Sequence, residues 1–385
     1  MNSVILGGGA TTPAGATAAE TWRLLSEGYS APRVPVPHPL GKRSYLYCAV
    51  PEKFVRTVGR QARLRRSGML SLFGASAAFD ALRDARVEVG PAFGARCALI
   101  YGVSSGGVQY TRRFYHEIVT QGASSASPLL FPETVFNAPA SHLAALLGLN
   151  GKTYTVVGDS GVGLSAIQLG DELLALDPEV EYVLVVGTEE VDWLLPDAFA
   201  AWRLASKDGH CEVYGTRTGL VFGEGAGAVL LARQGQGPVV AQVHPGQSFF
   251  SRQDSRRVAL EVLQRVLGAD RPDAMVTSAN GTDADAVEQE AFTRLNLAAP
   301  VYAYKPALGD ALGAGSVLQA VFATLALRHQ CLPGTLCAGD RCALVNRQTR
   351  SLALDRVLVS AIGFNQQVGA LLLERTGSDA ADARG

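Results

Sequence analysis

Apolar residues follow two spacings that alternate along the chain. Short unbroken runs such as Tyr182–Gly187 (YVLVVG) lack polar alternation and predict strands buried on both faces. Elsewhere apolar residues share one helical face, as Leu164, Ile167 and Leu174 do at i, i+3 and i+10. In order, the pattern predicts a strand at Ser3–Leu6, a helix at Thr17–Leu25 and an irregular excursion over Tyr29–Tyr47, rich in Pro, Arg and Tyr. An amphipathic helix at Leu70–Ala85, a buried strand at Cys97–Tyr101 and a glycine-opened helix within Ser104–Gly122 follow. Next come a short helix at Ser141–Leu147, a β-branched strand at Tyr154–Val157 and a helix opening near Ser160. After the Tyr182 strand, a Gly-rich turn from Gly219 feeds a strand that ends at Arg233.

The polar stretch QGQGP (Gln234–Pro238) is the best boundary, and beyond it the rhythm repeats. Strands at Val239–Val243, Ala274–Thr277 and Val301–Tyr304 alternate with helices at Ser255–Leu267, Ala284–Leu295 and Gly315–Leu327. Strands at Leu352–Ser360 and Ala370–Leu373 close the chain. Each half finishes with two strands, which predicts an α/β body of two similar lobes, 1–236 and 237–375, with a polar tail over 376–385.

Composition narrows the function classes. With 385 residues, 48% of them apolar and 18% charged, the chain can bury a large core. A formal net charge of -1 offers no basic excess to neutralise phosphates, which excludes nucleic acid as the main partner. No apolar run reaches membrane-spanning length, and MNSVILGGGATTPAG lacks the layout of a secretory signal, so a cytoplasmic protein is expected. The six cysteines are dispersed, without the clustering of a disulfide framework or the paired spacing of a zinc site.

The chemistry centres on TYTVVGDSGVGLSAIQLG (Thr153–Gly170). A side chain at such a strand-to-helix turn sits at the positive end of the helix dipole, where thiolates and anions are stabilised. The residue there is Ser160, with nothing nearby in sequence to activate it; helix capping is the simpler role for it. The string Gly158-Asp159-Ser160-Gly161 is not a nucleophile elbow, because Val occupies position 162.

Several blocks in order resemble the β-ketoacyl synthases of the thiolase superfamily: VILGGGATTPAG with Trp22 and Gly28, GLVFGEGAGAVLL, and VLVSAIGFNQQVGALLL. The resemblance runs from about Ser3 to Leu373 and implies a thiolase-like fold in five layers, αβαβα. It also implies a dimer in which the strand after Gly151 pairs across the two-fold axis. Active members carry a nucleophilic Cys at the position of Ser160 and a His in an Ala-His-Gly-Thr turn. Here that turn is Ala279-Asn280-Gly281-Thr282. A second His follows a Lys by five residues; here Lys305 is kept and the position is Asp310. The Gly-Phe-Gly-Gly gating loop has become Gly363-Phe364-Asn365-Gln366.

Condensation needs a thiolate, a relay for protons and donors for the enolate oxygen. An unassisted serine hydroxyl is not activated by a helix terminus alone. Asn280 relays no proton, and an ionised Asp310 would set negative charge where the oxyanion develops. Asn280 reads equally as an Asx-turn residue, and Lys305 with Asp310 as an internal ion pair.

The resemblance therefore points to a non-condensing subunit similar to the chain length factors of type II polyketide synthases, which pair with a catalytic ketosynthase. Gly106–Tyr115 (GGVQYTRRFY) looks like their interface helix, whose residues at the positions of Val108, Thr111 and Tyr115 line the acyl tunnel. Those three fall at i, i+3 and i+7, on one face, which is also compatible with ordinary interface packing. Val108 is small where aromatic-pathway relatives carry an aromatic, which suggests an aryl-polyene or other polyene product. No cofactor is implied; the substrate arrives on the phosphopantetheine of an acyl carrier protein. The alternatives are a divergent homodimeric acyltransferase that uses Ser160 as nucleophile, and a structural paralogue that only stabilises its partner.

Overall fold

The computed structural model describes residues 2–38, 44–364 and 367–376. Its principal sheet contains ten strands: β1 (Val4–Thr11), β2 (Cys97–Val103), β3 (Thr153–Val157), β4 (Tyr182–Glu189), β5 (Gly225–Ala232), β6 (Val239–Ser248), β7 (Ala274–Val276), β8 (Val301–Tyr302), β9 (Arg356–Ile362) and β10 (Gln367–Glu374). They lie in the order β8-β7-β9-β10-β6-β1-β5-β4-β2-β3. The first half therefore runs β3-β2-β4-β5-β1 and the second β8-β7-β9-β10-β6, the same arrangement of third, second, fourth, fifth and first strand.

Strand directions repeat as well. In each half the second strand is parallel to the third and fourth, while the fifth is antiparallel to both the fourth and the first. The halves join at a single residue pair, Val4 opposite Val239, flanked by main-chain bonds from Ile5 N to Pro238 O and from Val240 N to Ser3 O. The alternation of apolar runs thus encodes two copies of one motif.

Helices fill the layers around and between the halves. Val162–Leu176 and Leu312–His329 touch strands of both and form the middle layer; Met69–Asp84 covers β1, β4 and β5, and Arg252–Leu267 covers β6 and β10. This is the five-layered thiolase-like arrangement. Residues Leu312–Leu327 are buried all round, as a helix packed between the two halves of the sheet must be. Its polar Gln319 is satisfied there, donating from Nε2 to the carbonyls of Val276 at 3.2 Å and Ser360 at 2.8 Å.

Two expectations need correction. Met69–Asp84 is not amphipathic: eleven of its residues are buried, because sheet, neighbouring helices and loops enclose it on most sides. The Tyr29–Tyr47 excursion is not wholly irregular either. Val34–Pro35 pairs with Leu46–Cys48, which runs parallel to Phe222–Gly223 in a small three-stranded sheet. Among the described residues no helix is long and apolar enough to cross a membrane. All six cysteines are free thiols.

Candidate functional site

β3 leads through Gly158-Asp159-Ser160-Gly161 into the Val162–Leu176 helix, and Ser160 is buried at that turn. Ser160 does not cap the helix. The capping position is Gly161, and the Gly163 N–H instead donates to Ser316 Oγ of the Leu312–His329 helix at 3.0 Å. The neighbouring Asp159 accepts from the Gly161 N–H at 3.1 Å. A Cβ on Gly363 would fall 1.7 Å from Asp159 Oδ2, so only glycine lets the chain before Phe364 cross this turn.

The other three positions lie on two further segments of the chain, one after β7 and one after β8. Asn280 follows β7 in a turn closed by its own Oδ1, which accepts from Thr282 N at 3.3 Å and Thr282 Oγ1 at 2.6 Å; this is the expected Asx turn. Asn280 Nδ2 donates to Asp310 Oδ2 at 2.8 Å. The same oxygen accepts from Lys305 Nζ at 3.0 Å, and both charged side chains are 1% exposed. Asp310 is fixed through its main chain as well, its N–H donating to Val221 O at 2.7 Å and its carbonyl accepting from Gly223 N at 3.0 Å. A Cβ on Gly315 would stand 3.9 Å from both Asp310 Oδ1 and the Ser160 carbonyl, so that glycine lies between the Asp310 cluster and the Ser160 turn.

The donors of this cluster are therefore turned on a carboxylate. Lys305 and Asn280 both serve Asp310 Oδ2, while Asp310 Oδ1 is buried without a hydrogen-bond partner. Such a site presents an acceptor where an oxyanion would need donors. No thiol compensates. Burial, with the charges of Asp285 and Asp310, pushes the Cys211 thiol far above its ordinary range, which leaves it an inert core residue.

Asp285 supports the Asn280 turn and escaped the sequence reading. It accepts from the main-chain N–H groups of Asn280 at 2.8 Å, Gly281 at 3.1 Å and Tyr214 at 2.9 Å. Burial raises its carboxyl to about 7 against the pull of those donors. Its partner Glu288 accepts from the Ser278 main-chain N–H and from the hydroxyls of Ser278, Ser360 and Tyr214, and burial raises its carboxyl too. The available signal was a pair of carboxylates three residues apart beside the apolar stripe of Val287 and Ala291.

A cavity of about 230 Å³ opens between the Asn280 turn and Phe364, with Thr282, Arg256 and Ile362 in its wall. The Phe364 ring meets Phe199 edge-on at 4.6 Å and stacks on Trp202 at 6.4 Å. Asn365 and Gln366 lie outside the described residues.

The predicted interface helix spans Val108–Gln121 and buries none of its residues in the single chain. Val108 and Thr111 are half-buried, Thr111 Oγ1 donates to Thr134 O at 3.4 Å, and Tyr115 is 60% exposed. Further exposed apolar residues are Val119 on the helix itself and Leu129, Phe131 and Phe136 on the segment that follows it. β3 ends the sheet with Tyr154 and Val157 exposed and one backbone edge open.

The profile of the family described as β-ketoacyl synthase, N-terminal domain, matches residues 2–236. Among known proteins, the 3-oxoacyl-[acyl-carrier-protein] synthase 2 of Vibrio harveyi is 22% identical over 408 aligned residues, covering 97% of this chain and 98% of the relative. Among solved structures, the ishigamide ketosynthase/chain length factor superimposes with a TM-score of 0.84 at 20% identity, covering 98% of this chain and 99% of the other. The type II PKS acyl-carrier protein complex with its ketosynthase, AntDE:AntF, does so with a TM-score of 0.83 at 15% identity, covering 97% and 99%. At these identities the structural likeness carries the fold.

Proposed function

From a chain that belongs to the β-ketoacyl synthase family, yet holds Ser160, Asn280 and Asp310 where its resemblance to active members calls for Cys, His and His, we propose a non-condensing subunit of the chain length factor kind. It pairs with a catalytic ketosynthase, and that partner supplies the nucleophile and both histidines. The observation that carries the reading is the buried Lys305–Asp310–Asn280 cluster, whose two donors are spent on one oxygen of Asp310. Among the described residues no hydrogen bond joins Ser160 to an imidazole, and Asp310 Oδ2 already serves two donors.

The exposed apolar flank of the Val108–Gln121 helix and the open edge of β3 support a large partner surface. The acyl chain enters on the phosphopantetheine of an acyl carrier protein that docks mainly on the partner, and no cofactor takes part. Val108 and Thr111, with Tyr115, bound the tunnel that the two subunits share. The small Val108 leaves room for an extended chain of the aryl-polyene type.

The test has two arms. Offered malonyl and acyl carrier protein thioesters alone, the chain is expected to release no carbon dioxide and gain no acyl mass. An acyl adduct that disappears in Ser160→Ala would instead establish the homodimeric acyltransferase. Co-expressed with a ketosynthase of the same pathway, it is expected to purify as a 1:1 complex whose products shorten in Val108→Phe.

A further inference from the structure

The Val108–Gln121 helix has no buried residue of its own, so apolar contacts within the chain, such as Phe114 on Phe131, leave much of its placement to polar ones. Its capping residue, Gly107, offers no side chain to the first turn. That role falls to a buried carboxylate from a distant part of the chain. Glu190, just beyond β4 and 1% exposed, accepts from the Gln109 N–H through Oε1 at 3.2 Å. Gln109 Nε2 donates to the Val191 carbonyl at 3.2 Å, and Arg112 Nε pairs with Asp192 Oδ2 at 2.9 Å. The first turn is thus tied to three successive residues, 190 to 192. On the opposite side Gly106, at φ +66, lies so close to Phe136 that a Cβ would approach the ring to 2.7 Å. The helix is held between these two segments.

Glu190 serves a second helix as well. The Met69–Asp84 helix also begins on a glycine, Gly68, with no side-chain cap, and its Leu70 N–H faces the same carboxylate. Glu190 Oε2 has no hydrogen-bond partner despite its burial. Charged and titratable groups surround it: Glu224 at the start of β5, Asp192 and Glu189 on its own segment, and Arg112 and Tyr110 on the helix. Burial and the neighbouring carboxylates raise its carboxyl to about 7.

We infer that Glu190 and Asp192 are positioning residues for the subunit interface. By anchoring the first turn of the Val108–Gln121 helix, they set where Val108 and Thr111 stand, and so how deep an acyl chain can run. The last clause rests on the function proposed above; the anchoring does not.

Hydrogen exchange of the isolated chain tests the anchor. In Glu190→Ala, amides of Gln109 to Arg113 are expected to lose at least about tenfold protection, while β4 amides from Val183 to Val186 keep theirs. Glu190→Gln, which retains an acceptor, is expected to match the wild type at pH 6 and exceed it at pH 8, where the native carboxyl must ionise in its buried site. In Glu190→Ala, unchanged protection at Gln109–Arg113, or an equal loss in β4, overturns the proposal. If Glu190→Ala fails to fold, Asp192→Asn carries the test, with a loss of about threefold expected at the same amides and no change overturning it. With a ketosynthase partner, the variants are expected to shift product length. Lost protection with unchanged products would keep the anchor and overturn the reading of this helix as a tunnel wall.

Discussion

Asp310 takes two donors on one oxygen and none on the other, so its stability depends on Lys305 more than that of a solvated carboxylate would. Removing one member of a buried ion pair leaves a charge with no compensation, at a cost of about 3–5 kcal/mol. Lys305→Met is therefore expected to lower the urea midpoint strongly, and Lys305→Met/Asp310→Leu to recover most of the loss. A double variant as unstable as the single one would show that the pair itself is not the source. Ser160→Cys is expected to gain no decarboxylation of malonyl thioesters, since a thiol at the helix start still faces no imidazole. This pair was legible in the sequence because five residues and a glycine turn separate its members. The Ser316 and Glu190 contacts were not, because they join positions 153 and 81 residues apart and no local spacing marks them.

Among the elements, the chain at Gly363 passes tightly against the Asp159 turn. Gly363→Ala would drive a methyl into the Asp159 carboxylate, 1.7 Å from Oδ2, so the loop must lift. Phe364 is then expected to leave its contact with Phe199 and Trp202, visible as a change in tryptophan fluorescence; an unaltered spectrum would mean that the turn absorbs the methyl elsewhere. Element type and order were readable throughout, since buried strands and helical faces leave different apolar spacings. Misread elements are those whose surroundings come from far away. Met69–Asp84 reads as amphipathic because its small residues, from Gly74 to Ala78, resemble a weakly apolar face, yet they are the ones other elements pack against. The short strand at Leu46–Cys48 pairs with Val34–Pro35 on one side and, on the other, with Phe222–Gly223 from far along the chain.

For the molecule as a whole, the buried carboxyls dictate a pH response. Burial raises Glu189 to about 8 and Glu190, Glu224 and Asp285 to about 7, from ordinary values of 4.5 for Glu and 3.8 for Asp. The folded chain therefore binds more protons than the unfolded one between those limits. The stability these groups contribute is complete below about pH 4 and drains away as pH rises through 7 and 8. Chemical denaturation between pH 6 and 8.5 is expected to show falling stability, with a shallower slope in Glu190→Gln; an identical slope would remove Glu190 from the response. Two-lobed architecture was foreshadowed by the repeated rhythm on either side of Gln234–Pro238. The identical strand order of the halves was not, because spacing names elements without saying which lie side by side. Their junction at Val4 and Val239 is a narrow seam, whereas the Leu312–His329 helix leans on both halves. Severing the backbone at Gly235 should yield two polypeptides that assemble when mixed and collapse when separated, as twin modules that no longer possess a private interior.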